Sequence, residues 1–146
     1  MKSQIAKQIA DLLNTENQLV VRYTEEKVLD SSGNYIYEEA DNSIKAFIEC
    51  KKVQWYQFEL CHLTVSPGFR RQGLGKIVIN KALEHAKING AKVVQCTIRD
   101  DNTESKSLFS KCGFIQISTF YYPGSGNNVG VWQRVVSINA SYEAYK

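Results

Sequence analysis

With 146 residues, 43% of them hydrophobic, the chain is long enough for one well-buried core and too short for two ordinary domains. A formal net charge of +3 is mild; nucleic-acid binders concentrate far more basic charge on one face, so that class is set aside. No apolar run approaches the roughly 18 residues of a membrane span, and Met1-Lys2-Ser3-Gln4 opens a polar amphipathic segment, so one cytoplasmic domain over 1–146 is expected.

Ile5, Ile9, Leu12 and Leu13 recur at helical spacing and predict a first helix to about Asn14. Thr24 is an N-cap candidate followed by Glu25 and Glu26, which predicts a short second helix stopping near Gly33. Tyr35-Ile36-Tyr37 reads as a strand, Asp41-Asn42 as a turn and 44–53 as the hairpin partner, with the next strand over 55–65. Between Gly73 and Asn89, Leu74, Ile77, Val78, Leu83 and Ala86 give a helix one buried face, and Gly90 supplies the left-handed stop. Val93-Val94-Gln95-Cys96-Thr97-Ile98 is short and β-branched, as a buried strand should be. Asn102 or Asp101 caps a helix ending at Cys112-Gly113, and strands over 114–122 and 129–138 flank a loop at 123–128. Helices, an antiparallel meander and a strand–helix–strand unit make a mixed α/β (α+β) domain.

The segment Leu63-Thr64-Val65-Ser66-Pro67-Gly68-Phe69-Arg70-Arg71-Gln72-Gly73-Leu74-Gly75-Lys76 stands out chemically. A strand ends at Val65, a loop carries two arginines, and two glycines open a helix whose first N–H groups lack intrahelical partners. Arg70, Arg71 and Lys76 add positive charge, so the loop is suited to a phosphate or pyrophosphate. It is not a P-loop, because Gly-x-x-x-x-Gly-Lys-Ser/Thr is absent, nor a dinucleotide fingerprint, because Val78 stands where the third glycine would be. Cys50, Cys61, Cys96 and Cys112 are widely spaced without Cys-x-x-Cys, which suits thiols in a reducing compartment better than disulfides or a metal site. Asn139-Ala140-Ser141 reads as a chance glycosylation triplet.

Arg70-x-x-Gly73-x-Gly75 after Leu63-x-Val65 resembles the acyl-CoA signature of the GNAT N-acetyltransferase superfamily. Asp101-Asn102-Thr103-Glu104-Ser105 through Leu108-Phe109 to Gly113-Phe114 is similar to that family's second block, in the right order. Phe120-Tyr121-Tyr122-Pro123 also resembles a Tyr-Tyr-Pro segment of ribosomal-protein alanine N-acetyltransferases. The resemblance covers roughly 35–136 and implies a GNAT-like fold: a central, mostly antiparallel mixed sheet with a β-α-β cofactor-binding unit and flanking helices. The family's usual strand before the first helix has no counterpart here.

The resemblance further implies acetyl-CoA as co-substrate and a primary amine as acceptor, in a monomer or homodimer. Leu63, Thr64 and Val65 match the strand that meets the pantetheine arm. Arg70, Arg71, Gln72, Gly73, Leu74, Gly75 and Lys76 match the pyrophosphate cradle. Asn102 and Ser105 match a pantetheine contact; the alternative is an N-cap and a helix-surface residue. The family's tyrosine acid falls on Phe109, and the glutamate base of the ribosomal-protein subset falls on Thr97; neither can exchange a proton usefully. Glu59 matches a strand glutamate used as base in many members, in aromatic and apolar surroundings that suit that role, or else is simply solvated. Tyr121 or Tyr122 is the candidate acid, Tyr122 being chosen, against edge packing. His62 reads as a structural strand histidine and His85 as a surface one. Direct transfer to a peptide or protein amine is favoured over a polyamine, because 115–140 contains no Asp or Glu. The rival reading is an acyl-CoA-binding module that has lost catalysis and acts through a protein partner.

Overall fold

The structure is a computed structural model that describes residues 1–17, 19 and 21–136. The expected end of the last strand and the Asn139-Ala140-Ser141 triplet lie outside the described residues. Helix α1 (Ser3–Glu16) forms because Ile5, Ala6, Ile9, Ala10 and Leu13 fall on one face and are buried there. Helix α2 (Glu25–Asp30) starts where the Thr24 hydroxyl accepts the Lys27 N–H at 3.2 Å. It ends sooner than the sequence suggests, because a 3₁₀ turn, Ser32–Asn34, leads into β1 (Tyr35–Ala40). Asp41 and Asn42 then take positive φ, 51° and 62°, as a tight hairpin turn between twisted strands requires. The turn joins β1 to β2 (Ser43–Gln54), antiparallel from Ala40↔Ser43 to Tyr35↔Glu49.

Trp55 and Tyr56 do not begin the next strand as expected; they are the turn before β3 (Gln57–Val65). The chain must reverse there, and the Tyr56 carbonyl instead accepts the Lys92 and Val93 N–H groups at 2.8 and 3.1 Å. Helix α3 (Leu74–Ile88) buries Leu74, Val78, Ile79, Ala82, Leu83 and Ala86. Ile77, expected on that face, is 41% exposed. At about 3.6 residues per turn it falls on the far side of the stripe, and Ile79 takes the buried position. Gly90 stops the helix at φ 93°, with the Ala91 N–H bonded to the Ala86 carbonyl at 2.9 Å. Then come β4 (Val93–Arg99), α4 (Thr103–Lys111), β5 (Ile115–Tyr122) and β6 (Asn127–Val135).

The chain clusters into two compact units, Met1–Cys50 with Cys61–Ala82, and Lys51–Leu60 with Leu83–Lys146. In the first, the buried face of α1 packs with Val28, Tyr35, Ile44 and Phe47. In the second, Gln57–Glu59 runs parallel to Val93–Gln95, and β4 pairs antiparallel with β6 from Val93↔Val135 to Arg99↔Val129. Strand β5 lies antiparallel on β6, with an irregularity between Gln116 and Ser118. The strand order is β1-β2-β3-β4-β6-β5, a six-stranded mixed sheet with α1 ahead of its first strand. No helix among the described residues is long and apolar enough to cross a membrane.

Candidate active site

The loop after β3 is shaped by its backbone. Ser66 N–H bonds to the Lys45 carbonyl at 2.9 Å, and a 3₁₀ turn over Pro67–Phe69 places the Phe69 ring 5.7 Å under the Lys45 ammonium. Arg70 is extended, Arg71 is left-handed at φ 65°, and Gly73 is left-handed at φ 74°. Such reversals turn successive N–H groups to one side, which is how backbone nests for anions are made. The Gly73 carbonyl accepts the Ile77 N–H at 3.2 Å, so the amides of Leu74, Gly75 and Lys76 lie ahead of the helical ladder.

A Cβ built on Gly73 meets no atom within 4 Å. The glycine is therefore required by its φ rather than by packing, and the space beside it is open to a ligand. Arg71, Gln72 and Lys76 are exposed, while Leu74 and Gly75 are buried. Arg70, also exposed, is held 3.4 Å from Glu16 of α1, a surface pair worth at most about 1 kcal/mol. One unit thus brings together Leu63, Thr64, Val65 and all the residues from Arg70 to Lys76. These residues fit a pyrophosphate: donors, positive charge and no carboxylate within the loop itself.

The same unit holds an arrangement that sequence reasoning missed. His62 has φ 58°, a conformation uncommon for a residue with a side chain. Its carbonyl accepts the Thr64 hydroxyl at 2.9 Å, and Thr64, 5% exposed, in turn accepts from the Asn17 amide at 3.1 Å. The His62 Nε2 lies 3.5 Å from the Tyr23 hydroxyl, with the rings edge-to-face at 5.8 Å. Asn14 fixes Tyr23 at both backbone groups, each at 2.8 Å. His62, read from the sequence as a structural strand histidine, makes these contacts from within β3. The two residues stand 39 positions apart, so no local pattern could have paired them.

The other candidates belong to the second unit. Glu59 is half-buried and pairs with Gln95 at the last register position of the parallel ladder. The Asn102 Oδ1 accepts the Ser105 N–H at 3.1 Å, so Asn102 is an N-cap. Phe109 is buried and edge-to-face with Phe114 at 5.2 Å, while Thr97 is exposed opposite Val131. Tyr122 lies over its own turn: a Cβ on Gly124 would come within 2.9 Å of its ring. Its neighbours Phe120 and Tyr121 are exposed. None of the four cysteines forms a disulfide. Among the described residues, no group of three or more His, Cys, Asp or Glu is arranged to hold a metal ion.

Comparison with known proteins agrees with this geometry. Residues 6–114 match the acetyltransferase (GNAT) family. An uncharacterized N-acetyltransferase of Methanocaldococcus jannaschii is 34% identical over 56 residues, which is 38% of this chain and 25% of that protein. An uncharacterized protein of Mycobacterium leprae is 27% identical over 81 residues, 54% of this chain and 22% of its own length. The chain thus spans about a quarter of the curated relatives it matches. Among solved structures, Ard1 of Thermoplasma volcanium superposes with a TM-score of 0.79 at 22% identity, covering 94% of this chain and 95% of that one. The acetyltransferase yncA of Salmonella typhimurium, solved with acetyl-CoA, gives 0.81 at 13%, covering 96% and 93%. The ribosomal-protein alanine N-acetyltransferase of Brucella melitensis gives 0.78 at 16%, covering 92% and 96%. With a family match over residues 6–114, most of its length, the chain belongs to the GNAT acetyltransferase family, whose members bind acetyl-CoA.

Proposed function

We propose that this protein is a single N-acetyltransferase domain that transfers the acetyl group of acetyl-CoA directly to a primary amine, a peptide or protein amine ahead of a polyamine. The observation that carries the reading is the left-handed pair Arg71 and Gly73 in front of the α3 amides, with open space at Gly73. In this reading the amides of Gly73 to Lys76 and the charges of Arg70 and Arg71 hold the pyrophosphate, Gln72 completes the loop, and Leu63, Thr64 and Val65 take the pantetheine arm. Asn102 and Ser105 contribute a further contact. The thioester supplies an activated acyl carbon; the protein supplies position and proton transfer, and alignment alone is worth several kcal/mol.

Glu59 is the proposed base for the acceptor ammonium. A free lysine-type amine has a pKa near 10.4, so only about one molecule in a few thousand is neutral at pH 7. Tyr122 is the sequence-assigned acid, with its ring half exposed on the β5–β6 turn. The preference for a peptide rests on the exposed aromatics Phe120, Tyr121 and Tyr122 in a stretch without carboxylates. It also rests on the ribosomal-protein alanine acetyltransferase that shares the fold. A reducing, cytoplasmic setting is supported by the four thiols. The second reading, an acyl-CoA-binding module without catalysis, is favoured by one observation: Phe109 is committed to packing where the family offers a proton donor.

Mass-spectrometric screening of peptide pools, free amino acids and spermidine with isotopically labelled acetyl-CoA tests the proposal. Labelled peptide amines support it. Robust turnover of spermidine over peptides refutes the acceptor class, and binding of acetyl-CoA without transfer to any amine favours the module.

A further inference from the structure

A strand at the edge of a sheet offers a row of outward N–H and C=O groups to any other strand, and proteins that stay monomeric blunt such edges with charges, bulges or shortness. The two edge strands of this sheet differ in that respect. Strand β1 is six residues long and carries Glu38 and Glu39, with a register shift between them. Strand β5 is eight residues long and contains no charged residue and no proline. Among the described residues no strand lies beyond it, and every residue of β5 except Gln116 is exposed. Its one irregularity lies between Gln116 and Ser118; past it, 118–122 keeps unbroken register with β6, from Ser118 opposite Val131 to Tyr122 opposite Asn127.

From this edge we infer that the chain forms a two-fold homodimer in which β5 pairs antiparallel with β5 of a second copy. The register that pairs all of 118–122 sets Phe120 opposite the other copy's Phe120, Thr119 opposite its Tyr121 and Ser118 opposite its Tyr122. Side chains alternate across a strand, so the two Phe120 rings meet on one face of the sheet, between Ser118 and Tyr122, and the Thr119–Tyr121 pairs lie on the other. Aromatic cross-strand pairs stabilise a sheet, whereas like charges directly opposite one another destabilise it. A two-fold axis brings each residue near its own copy, so a charge on this strand would face its like, and a strand without charge is what self-pairing requires. A foreign strand imposes no such condition, which is why the second copy is the occupant that this edge fits. The net charge of +3 adds little long-range repulsion between copies.

Phe120, Tyr121 and Tyr122 are 45%, 61% and 50% exposed, which leaves about 70–150 Å² of each ring side chain to cover. Ile115 and Ile117, also exposed, flank the paired segment. Together these fall short of the roughly 800 Å² that each partner gives to a standard interface, so the dimer is weak, with Kd on the order of micromolar. Association stops at two copies, because the pairing uses both β5 edges and leaves only β1 edges, blunted by Glu38 and Glu39. The interface does not depend on the acetyltransferase reading, since it takes the backbone edge of β5 and nothing of the cradle.

Sedimentation velocity over about 1 µM to 1 mM should show the parent passing from monomer to dimer and no further. Phe120→Lys and Phe120→Glu, each checked for folding by circular dichroism, should stay monomeric over that range. Mixing the two in equal amounts should restore a dimer, because opposite charges then meet across the two-fold axis. Phe120→Cys keeps the test open if a charged variant fails to fold: mild oxidation should cross-link it into a dimer. The parent, whose Cys50, Cys96 and Cys112 are buried, and Glu39→Cys on the β1 edge should not cross-link. Amide hydrogen exchange in β5 should slow as protein concentration rises. A parent that is monomeric throughout, charged variants that dimerise like the parent, a mixture that stays monomeric, or a Phe120→Cys variant that does not cross-link overturns the proposal. Slowing of β5 exchange only on adding an acceptor peptide also overturns it and gives the edge to a peptide.

Discussion

Replacing Gly73 separates the two things a cradle glycine does, which are to adopt a left-handed backbone and to leave room. At φ 74° an L residue with a Cβ costs about 1–2 kcal/mol. That Cβ would meet no protein atom within 4 Å, so no steric cost is added. For a domain of this size Gly73→Ala should therefore lower Tm by roughly 2–8 °C. Acetyl-CoA affinity should fall further: a methyl group in the ligand's space displaces at least one charge-assisted amide bond, worth about 1.5–3 kcal/mol, or roughly 10- to 150-fold in Kd. Asparagine tolerates the left-handed region, so Gly73→Asn should regain most of the stability and none of the affinity. Differential scanning calorimetry and titration calorimetry on the same preparations measure both quantities. If Gly73→Ala or Gly73→Asn binds acetyl-CoA as tightly as the parent, the phosphate does not sit at this loop and the cradle assignment fails.

Glu59→Gln should lower turnover by roughly 10²-fold near neutral pH, with the deficit shrinking as pH rises and the amine loses its proton unaided; a pH-independent loss in the rate profile would show a packing role instead. Changing Tyr121 and Tyr122 together to alanine should raise the acceptor KM more than the acetyl-CoA KM in steady-state assays, and an unchanged acceptor KM would remove the hairpin from the acceptor site. Phe109→Tyr should not supply the missing acid: its hydroxyl would enter the packed contact with Phe114 and destabilise the fold by about 1–3 kcal/mol in denaturant titration, without raising kcat. Faster turnover at unchanged stability would show that the position still addresses the sulfur.

Much of the local architecture was legible because its causes are local. Thr24 and Asn102 cap the helices they precede, since a capping side chain reaches only two or three residues ahead. Asp41-Asn42 make their turn, and Gly90 its stop, because few residues accept positive φ. The left-handed Gly73 ahead of α3 was visible for the same reason, since the helix start and its glycines are adjacent in the chain. Where the outcome depended on partners distant in sequence, the chain alone did not decide it. Trp55 and Tyr56 have strand composition, yet became a turn because pairing on either side required a reversal there. Ile77 has core composition, yet faces out because the buried stripe is set by what α3 packs against. Phe109 is explained by Phe114, and His62 by Tyr23, contacts that exist only after folding brings separate segments together. The sequence by itself determined the family signature, the left-handed turn residues and the helix caps, all of them set by short-range backbone requirements. Which side chains are buried and which pair across the fold was decided by the tertiary structure, because those contacts join segments distant in sequence.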